Sequence, residues 1–105
     1  GKMVREYESR RDLLVRGLES IPGLRVSKSE GAIYLFVAVD AFGIPALELT
    51  KRLLLEQRVA VAPGTAFGPD GEGYIRLCFA SSREDLQEAV RRMYVFFSSI
   101  DRAPL

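Results

Sequence analysis

VAVAPGTAFGPDGEGYIRLCF, residues 59–79, decides how the rest of the chain is read. Its ends, Val59 to Ala62 and Tyr74 to Phe79, are short runs rich in β-branched and aromatic residues, and each predicts a strand. Between them Pro63 to Gly73 holds four glycines and two prolines in eleven residues. That density predicts a surface connection whose glycines admit unusual dihedrals. It is not a dinucleotide fingerprint, because the glycines lead into a strand rather than opening a helix. It is not a P-loop, because no Gly-Lys-Ser/Thr closes it. A glycine-rich segment that delivers the chain onto a strand carrying Arg76 is a candidate border of a site.

Downstream, Ser81 with Glu84 forms a capping-box signature for a last helix. Leu86, Ala89, Val90, Met93, Tyr94 and Phe97 then recur at i, i+3, i+4, i+7, i+8 and i+11, an amphipathic pattern. Glu84 and Asp85 read as first-turn acids facing the helix macrodipole. Upstream, Pro45 opens a helix running to Gln57, with Ala46, Leu49 and Leu53 along one side. Ala32 to Val39 predicts a strong strand, closed by Asp40 to Gly43. Leu24 to Lys28 predicts a short one, with Ser29-Glu30-Gly31 as the turn between them. Lys2 to Ser20 predicts a helix through Met3, Tyr7, Leu14 and Leu18, widened by Val4, Leu13 and Val15. Glu6 with Arg10, and Asp12 with Arg16, are spaced for exposed helical ion pairs. The order is α-β-β-α-β-β-α: an α+β domain with helices packed on a small four-stranded sheet.

Side chains alternate across a strand, so each strand sorts into two faces. Ile33, Leu35, Val37 and Val39 share one face with Ile75, Leu77 and Phe79. Tyr34 and Phe36 share the other with Tyr74, Arg76 and Cys78. Two readings stay open for this second face. It is half of a two-sided core from which Arg76 reaches water, or it docks against protein outside this chain. An enclosed guanidinium requires an anion, and its fork matches a carboxylate. Asp70 and Glu72 are expected on an exposed loop, and Cys78 as a small buried strand residue.

Composition narrows the chemistry further. The chain has 105 residues, 48% of them hydrophobic and 28% charged, enough for one domain. A net charge of +1 gives no field to draw it to nucleic acid or a membrane surface. With no histidine, a Ser-His-Asp triad, a Cys-His dyad and a histidine-ligated metal are excluded. The single cysteine excludes an internal disulfide. No apolar run approaches the ~18 residues of a membrane span. No residue is assigned to catalysis, cofactor binding or metal binding.

Val59 to Gly68 and Gly71 to Ala80 resemble the C-terminal signature of class I/II aminotransferases, pyridoxal-phosphate enzymes of the aspartate aminotransferase fold type. Gly31-Ala32-Ile33-Tyr34-Leu35-Phe36 is similar to the family's Gly-Ala-Phe-Tyr strand, with Ile33 where phenylalanine is commoner. Tyr7 to Asp12, YESRRD, resembles its Tyr-x-x-Arg-Arg-Asp helix.

The resemblance implies that residues 1–105 are the small C-terminal domain and that the large cofactor-binding domain precedes them. It implies that Arg76 grips the substrate α-carboxylate, with Phe67 and Tyr34 also contacting substrate in the cleft. In the whole enzyme a lysine holds pyridoxal 5'-phosphate and shuttles the proton between the substrate α-carbon and the cofactor. Neither Lys28 nor Lys51 stands in such a context, so the fragment is expected to bind no cofactor and to be inactive alone. The substrates are then an α-amino acid and a 2-oxo acid, and the enzyme a cytoplasmic homodimer. The alternative is a free-standing α+β module that binds a small acid or a protein partner.

Overall fold

The computed structural model describes residues 2–27 and 33–100, with side chains from Arg5 onward. Helix α1 is Lys2–Glu19, α2 is Ala46–Gln57 and α3 is Arg83–Ser98. The strands are β1 (Arg25–Ser27), β2 (Tyr34–Ala38), β3 (Ala62–Pro63) and β4 (Tyr74–Cys78). They form one antiparallel sheet in the order β1-β2-β4-β3. The α+β order read from the sequence is the order observed. The expected turn Ser29-Glu30-Gly31, Lys28, Ala32, and the side chains of Met3 and Val4 lie outside the described residues.

All three helices bury their apolar stripes on one face of the sheet. Leu14 and Leu18 of α1, Leu49 and Leu53 of α2, and Leu86, Met93, Phe96 and Phe97 of α3 form one core with Leu35, Val37, Ile75, Leu77 and Phe79. Helices α1 and α3 approach closely because residue 17 is glycine: a Cβ there would stand 2.8 Å from Val90 Cγ1. The helices therefore do not make a two-sided core. Among the described residues no helix covers the face of Tyr34, Phe36, Arg76 and Cys78. Tyr34, Phe36, Tyr74 and Arg76 are half-buried and Cys78 is exposed.

Several local expectations shift. Strand β3 covers Ala62–Pro63 rather than Val59–Ala62. Arg58 takes a left-handed conformation to end α2, and the Val59 N–H turns back to the Leu53 carbonyl at 3.3 Å, away from the ladder. Ser82, not Ser81, caps α3, its Oγ accepting the Asp85 N–H at 3.1 Å. On that helix Phe96 is buried, whereas Tyr94 is 50% exposed. Arg10 pairs with Glu6 at 3.1 Å, but Arg16 donates to the Asp12 backbone carbonyl instead of its carboxylate. Cys78 is exposed rather than buried, because it lies at the end of β4 on the face the helices leave open. No helix of the described residues is long and apolar enough to cross a membrane.

Candidate functional site

Strand β4 runs between β2 and β3, so its central residue is flanked on both sides. Arg76 stands opposite Phe36 on β2 and Ala62 on β3. Ile75 and Leu77 on either side of it are buried among the helices, which forces the Arg76 side chain onto the open face. Alternation along β2 brings Tyr34 to that same face. The glycine-rich connection folds as two tight 3₁₀ turns, Gly64–Phe67 and Pro69–Gly71, and the first ends with Phe67 over the sheet.

These elements bring the three residues expected from the sequence together. The Arg76 Cζ lies 4.0 Å from the centre of the Tyr34 ring and 3.9 Å from that of Phe67. Approach in the guanidinium plane at such distances would drive a nitrogen into a ring, so both rings lie against its faces. The N–H edge is left as the route to a ligand, the geometry for planar, bidentate contact with a carboxylate. Phe67 also meets Phe36 edge-on, 6.0 Å between centres.

The electrostatics are uneven across the surface. Arg10, Arg25, Arg52, Arg83, Arg91 and Arg92 each lie within ion-pair distance of a carboxylate. Among the described residues Arg76, like Arg16 and Arg58, has no such partner. An open groove of about 220 Å³ adjoins it, lined by Tyr34, Ala60, Val61, Ala62, Arg76 and Cys78. A larger cleft of about 360 Å³ lies between residues 58–61 and α3 and does not include Arg76. Glu88 lines that cleft; its hydrogen bond from Arg91, then that from Arg92, hold its carboxyl down at about 2 against some desolvation.

The connection is fastened at its base. Gly64 is buried against Gly71, and a Cβ on either would run into the other's backbone carbonyl. The Gly73 carbonyl accepts the Val39 N–H at 2.7 Å, with Gly73 at φ 89°. Glu72 lies exposed on the loop as expected, and it accepts the Ala46 N–H through Oε1 at 3.0 Å. Two contributors went unread: Glu72, and Phe36 as the floor beneath Phe67. For Glu72 a signal existed, since a helix opening Pro45-Ala46 brings no capping side chain of its own.

Residues 1–93 match the family described as aminotransferase class I and II. The chain is 41% identical over 92 residues to an aspartate aminotransferase of Pyrococcus horikoshii, covering 88% of this chain and 24% of that one. It is equally 41% identical over 92 residues to aromatic-amino-acid aminotransferase 2 of Thermococcus litoralis, covering 88% and 23%. The crystal structure of an aromatic aminotransferase from Pyrococcus horikoshii superposes with a TM-score of 0.86 at 39% identity, over 90% of this chain and 25% of that one. The chain thus spans about a quarter of the length of the relatives it matches. A match over residues 1–93, carried on a fold this closely shared, makes the chain a member of the class I and II aminotransferase family.

Proposed function

We propose that this chain is the small C-terminal domain of a pyridoxal-phosphate-dependent aminotransferase, and that Arg76 binds the α-carboxylate of its amino-acid and 2-oxo-acid substrates. One observation carries the reading: a guanidinium clamped between Tyr34 and Phe67, without a protein carboxylate among the described residues, on the sheet face the helices leave open. The clamp spares the substrate the entropy of ordering a long side chain, and the N–H edge fixes the carboxylate plane.

Pyridoxal phosphate, when bound, supplies the electron sink for the substrate α-carbon. The residues described here do not fit it. Among the described side chains the single lysine is Lys51, exposed on α2 in the helical layer across the sheet from Arg76. On this reading, holding the cofactor and moving the α-proton fall to residues other than those described, and the 105 residues alone are expected not to transaminate. The open face with Tyr34, Phe36 and Arg76 is where the large domain would close over substrate. A cytoplasmic homodimer completes the reading.

The test is made on the full-length protein. The cofactor's visible absorbance is followed while amino acids are added to wild type, Arg76→Ala and Arg76→Lys. A charged hydrogen-bonded contact predicts that Arg76→Ala raises the half-saturating concentration about 10–100-fold. Arg76→Lys keeps the charge without the fork and recovers part of the loss. Equal saturation in all three proteins would leave Arg76 a structural cation and overturn the assignment.

A further inference from the structure

We infer that Glu72 is a positioning residue for the carboxylate grip: by capping α2 it holds the loop that lays Phe67 on Arg76. The inference rests on the carboxylate-binding role proposed for Arg76. Helix α2 begins at Ala46 after Pro45, which offers no side-chain acceptor. The Ala46 N–H belongs to the first turn, where no intrahelical acceptor exists, and Ala46 is wholly buried. Glu72, from 26 positions away in sequence, supplies the missing oxygen at 3.0 Å and places a carboxylate at the positive end of the helix.

Its neighbours transmit that anchorage. Gly71 abuts Gly64 backbone to backbone, so fixing residue 72 fixes the start of the turn Gly64–Phe67 as well. That turn packs on α2 and β4 and ends at Phe67. Phe67 is itself 48% exposed, so burial holds its ring only in part. The fastening of the loop base supplies the rest. With Glu72 removed, the ring leaves one face of the Arg76 guanidinium, and the side chain must be ordered again when substrate binds.

The experiment uses the full-length protein and reads two quantities, the amino-acid concentration that half-saturates the cofactor absorbance change and the thermal midpoint. Glu72→Ala is expected to raise the half-saturating concentration about fivefold. Glu72→Gln keeps an acceptor oxygen and restores the wild-type value. In a Phe67→Ala background Glu72→Ala adds nothing further to saturation. Glu72→Ser, polar but too short to reach Ala46, replaces the alanine variant should that one not fold. A lowered midpoint with unchanged saturation, or an effect that adds fully to that of Phe67→Ala, overturns the inference. Arg76→Ala separates the two readings: weakened saturation there with normal saturation in Glu72→Ala sinks the positioning role alone, and normal saturation in Arg76→Ala sinks the carboxylate role beneath it.

Discussion

Gly64 and Gly71 meet backbone to backbone at the base of the loop that carries Phe67, with no room for a Cβ on either. Neither partner can yield as a flexible side chain would, because each meets main chain. Gly71→Ala is therefore expected to destabilise the chain by about 1–3 kcal/mol, the usual range for forcing extra volume into a packed site. Urea unfolding followed by far-ultraviolet circular dichroism checks this, and an unchanged midpoint would mean that the loop base opens freely.

Leu35 and Phe36 are sequence neighbours that face opposite sides of the sheet. Leu35 is fully buried in the helical core, whereas Phe36 is half-buried on the open face. Leu35→Ala should cost about 2–5 kcal/mol through lost burial and a residual cavity. Phe36→Ala should cost less in this chain despite removing more atoms, since solvent can follow the ring out. A larger loss for Phe36→Ala in the same urea titration would show that the open face is covered.

The helices and the element order were legible because periodicity is local: Leu49 with Leu53, or Leu86 with Met93, report a buried stripe without reference to anything distant. The alternation in Tyr34–Ala38 and Tyr74–Cys78 separated two faces equally well. The aliphatic face was read as the one the helices take, and it is; whether a helix also covers the second face was not legible, since a stripe says that it is buried and not against what. Arg76 stood out as a cation among apolar strand residues, whereas Phe67 and Tyr34 needed the resemblance to join it. The Glu72 cap escaped because it links residues 26 apart across two elements. Strand β3 was read too long because the Val59 N–H is spent on the end of α2, a competition invisible in a run of alanines and valines.

Cys78 is exposed beside the groove next to Arg76. Its exposure leaves the thiol open to reagents in solution. In this chain a disulfide reagent is expected to titrate one thiol per molecule without denaturant. In the full-length protein the proposed closure of the large domain over this face should slow that reaction. Equal rates in the two would argue against coverage of the open face.

Glu88 sits one helical turn before both Arg91 and Arg92, accepting from Arg91 Nη2 at 2.6 Å and from Arg92 Nε at 3.0 Å. These bonds favour the ionised form and lower its pKa from 4.5 to about 2 in the folded chain. A depressed carboxylate pKa means that the unfolded chain binds the proton more tightly. The contribution is thus fully present above pH 4.5 and is lost as pH falls through the interval down to about 2. The thermal midpoint of wild type should drop across that interval more steeply than that of Glu88→Gln, and added salt should narrow the difference because the groups are partly exposed. Parallel curves for the two proteins would mean that the Arg91 and Arg92 contacts to Glu88 do not persist in solution.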